Sequence, residues 1–175
     1  MNEQELFSIL ALQKVELVGD IVAKKLLNHF EKASDVFSAK ANILTSIDGI
    51  GSILLKNLKD KSIFQKAEAE LKFIQDNHID VHFYKHNSYP AKLKHCFDAP
   101  ILLFSTGNIN LKQTKIISIV GTRQVTSHGA EFCRNLIAEI APLNPIIVSG
   151  FAYGVDIVAH QAAMEHNLQT IGVLA

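Results

Sequence analysis

The chain of 175 residues is long enough for one domain of ordinary size or two small ones, and its 48% hydrophobic and 19% charged residues describe a globular protein. Lysine plus arginine and aspartate plus glutamate both number 17, so no global field draws the protein to nucleic acid or membrane, and any polyanion site must be local. The acidic start Met1-Asn2-Glu3-Gln4-Glu5 lacks the features of a signal peptide, no apolar run approaches the roughly 18 residues of a membrane span, and Cys96 and Cys133 lack CxxC spacing. These features set the expectation of a cytoplasmic chain with reduced thiols and no membrane segment.

Residues 1–77 carry helical periodicity: Leu6, Ile9 and Leu10 share a face, as do Val22, Ala23, Leu26, Leu27 and Phe30, and again Ile63, Phe64, Ala67, Leu71 and Ile74. Gly-containing breaks, Val18-Gly19-Asp20 and Asp48-Gly49-Ile50-Gly51, separate the helices and suggest a degenerate pair of helix–hairpin–helix units. At Ile79 the period changes to two: Ile79, Val81 and Phe83 alternate as a strand does, and Ile101–Phe104 reads as a short buried strand. The spacing therefore predicts a helical domain over 1–77 and a second domain over 78–175.

That second region is α/β. Ile116–Val120 is a β-rich run ending at Gly121, followed by an amphipathic segment with Phe132, Leu136, Ile137 and Ile140 on one face. Ile146-Ile147-Val148 is a second strand, a helix covers roughly Val155 to His166, and Thr170–Leu174 is a third strand. Alternating elements with fully apolar strands predict a parallel sheet covered on both faces. Such sheets bind ligands at the carboxyl ends of their strands.

Two strand-to-helix turns hold the unusual residues at those ends. In the first, Gly121 permits a tight turn. Thr122, Thr126 and Ser127 then offer hydroxyls beside the backbone amides of a helix N-terminus, a ready anion site. Arg123 is one of only two arginines among fifteen lysines, and its planar fork can grip a phosphate bidentately. The plainer reading is an arginine paired with a surface carboxylate. In the second turn, Gly150 and Gly154 allow close backbone approach, and Phe151 and Tyr153 can stack on bases. Strand alternation predicts one ring toward a ligand and the other in the core.

Three further groups are weaker. Asp156 and His160 stand four apart on a helix without a third ligand or nucleophile, so neither a catalytic nor a metal role is assigned to them. His78, His82 and His86 straddle a predicted strand, where that spacing does not converge. At the Asp48–Gly51 hairpin, Gly49 and Gly51 can lend amides to a phosphate or can serve packing alone. No G-x-G-x-x-G, GxxxxGK[ST] or G-x-S-x-G occurs, which argues against a dinucleotide cofactor, ATP hydrolysis and a common hydrolase. The expectation is no cofactor and no metal.

Ile119-Val120-Gly121-Thr122-Arg123 with Thr126 and Gly129 resembles the VG[ST]R-x-x-[TS]-x-x-G motif of the DprA/Smf family. Ser149-Gly150-Phe151-Ala152-Tyr153-Gly154-Val155-Asp156, with Ala159-His160 and Ala162-Ala163, resembles that family's SG-x-A-x-G-[IV]-D-x-x-AH-x-x-A motif. Tyr89-Pro90, Asp98-Ala99-Pro100 and Gly107-Asn108 resemble the stretch before its sheet, and the helical region resembles its SAM-like, helix–hairpin–helix-related domain.

The resemblance implies a Rossmann-like domain that binds single-stranded DNA, protects incoming DNA in natural transformation and loads the RecA recombinase, without catalysis and as a homodimer. Carried over by position, Gly121, Thr122, Arg123, Thr126, Ser149, Gly150 and Gly154 hold phosphates, with Phe151 and Tyr153 available for stacking. Many members carry Arg or Lys where this chain has Tyr153, so one cationic contact is replaced or lost. The family's sheet continues beyond three strands, so the resemblance also implies a sheet truncated after its third strand, with the dimer surface beyond it. The rival reading is a nucleotide phosphoribohydrolase of the cytokinin-activating, lysine decarboxylase-like type. Its P-G-G-x-G-T turn and nearby glutamate do not occur here.

Overall fold

The structure is a computed structural model and describes residues 1–109 and 115–174. It divides into two compact units, Met1–Gly107 and Asn108–Ala175.

The first unit begins with six helices: α1 (Glu3–Gln13), α2 (Asp20–His29), α3 (Ala33–Ser38), α4 (Ala41–Thr45), α5 (Ser52–Asn57) and α6 (Ser62–Asp76). Ile9 to Leu12 of α1 are fully enclosed, so α1 is the axis of the bundle, with Leu26 of α2 and Ile63 and Ala67 of α6 packed into the same core. Side chains cap helices both locally and at a distance. Asn2 Oδ1 accepts from Glu5 N at 2.8 Å, and Glu5 Oε1 accepts from Ala33 N at 2.9 Å, which fixes the start of α3.

A two-stranded antiparallel pair, β1 (Asp80–Phe83) and β2 (Leu102–Ser105), completes this unit, in register Asp80↔Ser105 and Phe83↔Leu102. Phe83, Ile101 and Leu102 are buried in the helical core. The segment between the strands is pinned to α2: Ile101 N donates to Asp20 Oδ1 at 2.8 Å, Lys24 Nζ to the Phe97 carbonyl at 3.0 Å, and Lys85 Nζ to the Leu27 carbonyl. The limit of the unit thus falls at 107/108 rather than at the 77/78 boundary read from the change of period. A switch of secondary structure and a limit of packing are separate events here, because the hairpin's apolar residues are buried against the helices.

The second unit holds β3 (Ile116–Ser118), α7 (Ser127–Ile140), β4 (Ile146–Gly150), α8 (Val155–Glu165) and β5 (Thr170–Val173). The strands are parallel in the order β3-β4-β5, with Ile117 opposite Ile147 and Ile147 opposite Thr170. This is the predicted α/β, Rossmann-like arrangement. Coverage differs from the expectation, since α7 and α8 pack on each other and share one core with Ile147, Ile117 and Ile119. Strands added in one direction with crossovers of one hand place both helices on the same face.

The inner face of α7 also differs. Cys133 and Ile137 are buried, while Phe132 is 64% exposed. The surface that α8 presents is a set of small side chains, Ala159, Ala162 and Ala163. The compact Ala130–Cys133–Ile137 line fits against it more closely than Phe132 could.

Candidate nucleic-acid interface

β4 is the central strand, and the turns that follow β3 and β4 lie side by side at the carboxyl end of the sheet. Pairing continues past β3, where Ile119 N donates to Val148 O at 2.9 Å. Backbone then joins backbone across the two turns: Val155 N donates to Thr122 O at 3.1 Å. Gly154 makes this possible. Its φ of +87° is left-handed, and a Cβ there would lie 2.6 Å from the Arg123 carbonyl. Gly121 is closed against Val155 in the same way, at 2.6 Å from the position a Cβ would take, and Gly150 lies 2.5 Å by that measure from Asp156 Oδ2. All three glycines therefore have a packing reason to be glycine.

The hydroxyls are divided between scaffold and surface. Ser149, 3% exposed, donates its hydroxyl to Ile119 O at 2.6 Å, so it braces β3 to β4 and is turned away from any ligand at the surface. Thr126 is the N-cap of α7 and accepts from Gly129 N at 3.1 Å. Thr122 Oγ1 accepts from Gln124 N at 3.1 Å and stays exposed with its own proton to donate. The first intrahelical bond of α7 runs from Ala130 N to Thr126 O at 2.9 Å, so the amides of Ser127 and His128 have no acceptor within the helix. These amides stand at the positive end of a 14-residue helix, with Arg123 exposed beside them.

The N-terminus of α8 is arranged differently. Asp156 lies in its first turn and is buried, so a carboxylate already occupies the positive end of that helix. An anion is favoured at α7, not at α8.

Both aromatic rings point outward, Phe151 at 73% and Tyr153 at 82% exposure. The expectation of one ring in the core fails because β4 ends at Gly150 and both residues belong to the turn, where strand alternation no longer operates. Phe151 leans over Gly172 of β5, and its ring centroid is 5.9 Å from that of His160. His160 is a brace. Nε2 contacts Gly150 O at 2.7 Å and must donate there, because a carbonyl only accepts, while Nδ1 meets Thr170 Oγ1 at 2.7 Å. Sequence spacing gave no sign of either the His160 brace or the Asp156 carboxylate beneath Gly150, since both depend on which strand neighbours which.

The remaining candidates belong to the first unit. There Gly49 has a φ of +90° and Gly51 is the N-cap of α5. Lys25 Nζ donates to Asp48 Oδ2 at 2.6 Å and to Asp48 O at 3.1 Å, filling the hairpin with a pair of its own. That hydrogen bond, and then the charge of Lys25, holds the Asp48 carboxyl below its ordinary range. His82 Nε2 meets Ser105 Oγ at 2.8 Å across the hairpin, His86 lies edge-on to Phe83, and His78 has a left-handed φ of +51° after α6. Among the described residues no group of three or more His, Cys, Asp or Glu is placed to hold a metal. Nor is any helix among them long and apolar enough to cross a membrane.

Fold and turns together define an α/β protein with a Rossmann-like parallel sheet. The family model for DNA recombination-mediator protein A matches residues 80–175. The chain is 30% identical over 161 residues to DNA processing protein DprA of Bacillus subtilis, covering 90% of this chain and 54% of that protein. It is 27% identical over 177 residues to Protein Smf of Synechocystis, covering 94% and 42% respectively. The X-ray structure of DNA processing protein A from Streptococcus pneumoniae superposes with a TM-score of 0.66 at 25% identity, over 99% of this chain and 57% of that one. This chain belongs to the DprA/Smf family. It spans about half the length of the relatives it matches.

Proposed function

We propose that this chain is the single-stranded DNA-binding part of a DNA-processing protein, gripping the strand through the turns at 121–129 and 149–156. Arg123, the Thr122 hydroxyl and the amides of Ser127 and His128 take phosphates, while Phe151 and Tyr153 stack on bases. The observation that carries this reading is the juxtaposition of the two turns. The Val155–Thr122 bond and the close approach of Gly154 to the Arg123 backbone bring the two turns together, with Phe151 and Tyr153 exposed, which supports a phosphate grip beside stacking rings. Gly121, Gly150 and Gly154 act by bringing the turns together, and Thr126 and Ser149 act by bracing them. In the intact protein the role is that of a cytoplasmic, non-catalytic recombination mediator, a homodimer that shields incoming DNA in transformation and hands it to RecA. The family, whose model is named for recombination mediation, supports that role.

Titration of a fluorescent oligonucleotide tests the site. With about two to four phosphates held, the slope of log K against log salt is roughly −1.5 to −3, at about 0.7 per phosphate for single strands. Arg123→Ala weakens binding to all sequences alike, and Arg123→Lys recovers only part because an ammonium does not fork. An unchanged affinity and salt slope in Arg123→Ala would refute the site.

A further inference from the structure

The balance of 17 basic and 17 acidic residues hides an uneven distribution. Around the turns of the second unit Arg123 stands almost alone, whereas the segment from Tyr84 to Asp98 in the first unit carries Lys85, Lys92 and Lys94 against the single carboxylate of Asp98. That segment encloses a cavity of about 250 Å³. Tyr84, the exposed Phe97 and the buried Tyr89 and Ala99 line it, together with Lys24 and Lys94.

The cavity is built rather than incidental. Tyr89 OH donates to the Pro100 carbonyl at 2.7 Å and Tyr84 OH to Asn28 Oδ1 at 3.0 Å, which fixes both rings. The ammonium groups of Lys24 and Lys85 lie 5.9 and 5.8 Å from the centroid of the Tyr84 ring, and backbone carbonyls hold each in place. Among the described residues no carboxylate pairs with Lys24, Lys85 or Lys94. The nearby Asp20 already accepts from Ile101 N. His86 records the local field: burial first, then the positive charges of the chain's amino terminus and Lys94, hold its imidazole below the ordinary range. Phe97 lines the cavity and is 76% exposed.

We propose that this cavity is a nucleotide subsite, independent of the turns at 121–129, that takes one heteroaromatic base between Tyr84 and Phe97 and its phosphate on Lys24 and Lys94. Its volume, just under the roughly 300–1,000 Å³ of pockets for drug-sized ligands, suits one base and its sugar. Aromatic lining residues call for a ring, and ammonium groups with no carboxylate partner among the described residues call for an anion. The ligand is either a free nucleotide or one nucleotide unit of a strand.

Cys96 reports on occupancy, because its thiol lines the cavity and is exposed, while Cys133 is buried and burial pushes its thiol up. The rate of Cys96 alkylation is followed by mass spectrometry on the 175-residue protein, with thymidine monophosphate, oligothymidylate, thymidine or inorganic phosphate added at equal ionic strength. The expected result is slower modification of Cys96 with one or both of the nucleotide ligands and little effect of thymidine or phosphate alone. Protection by the monophosphate marks a free-nucleotide site, and protection by the oligomer alone marks a strand contact. Phe97→Ala raises the protecting concentration about five- to 150-fold, the range of one lost stack. Lys94→Gln raises it as well, and Arg123→Ala leaves it unchanged. Modification at the same rate with every ligand overturns the proposal, as does equal protection by inorganic phosphate or protection indifferent to both Phe97→Ala and Lys94→Gln.

Discussion

Thr122, Thr126 and Ser149 offer the same chemical group, and the fold uses each differently. Ser149 joins two strands with its proton, whereas Thr126 caps a helix and Thr122 closes its own turn as acceptors, so both exposed threonines keep a proton for the surface. Residue type at a given spacing states what a side chain can do, while its neighbours decide what it does. The Thr126 cap was not read from the sequence, where its hydroxyl is assigned to an anion, although a hydroxyl just ahead of an amphipathic segment is a helix-start signal. The destination of Ser149 has no such local signal, because Ile119 is thirty residues away along the chain. Tyr84 shows the same dependence on surroundings: burial among the lysine stems and the α2 edge pushes its phenol up to about 12. The folded state then keeps a proton that the unfolded chain loses near 10, so this contribution is intact below about pH 10 and is lost as pH rises from about 10 toward 12. The phenolate absorbance difference between the wild type and Tyr84→Phe should therefore emerge near pH 12. Its appearance near 10 while the circular dichroism is still native would contradict the burial of this phenol.

At the scale of elements, the strands of the sheet and the two strand-to-helix turns were legible, because each is a contiguous run with its own period and its own punctuation. Arg123 was legible for the same reason, whereas the exposure of both Phe151 and Tyr153 was not, because the end of β4 at Gly150 takes them out of strand alternation. The inner face of α7 was not, since the choice of Cys133 over Phe132 depends on the small side chains of α8. The two turns work as one element, joined where Gly121 meets Val155 and Gly154 meets Arg123. Gly121→Ala should cost about 1–3 kcal/mol in urea unfolding, the range for overpacking. Val155→Ala should relieve part of that cost, because it removes the Cγ2 that lies 2.6 Å from the new methyl. The two effects should depart from additivity by about 0.5–3 kcal/mol. Simple additivity would mean that the turns do not touch as described.

Across the whole molecule, the change of period at Ile79 was visible in the sequence, but the limit of the first unit was not. It depends on hydrogen bonds from the 85–101 segment back to α2 that no local pattern encodes. Zero net charge has a consequence at this scale too. Without a global field to hold a polyanion, a strand must be held by discrete contacts, so the site is identified by which residues it touches. Photocrosslinking with an oligonucleotide carrying 5-iododeoxyuridine measures this directly, and covalent capture tolerates weak binding. The expected result is crosslinked peptides containing Phe151 or Tyr153, lost in Arg123→Ala while the circular dichroism is unchanged. Crosslinks absent from both 121–129 and 149–156, with a yield indifferent to Arg123→Ala, would contradict the account.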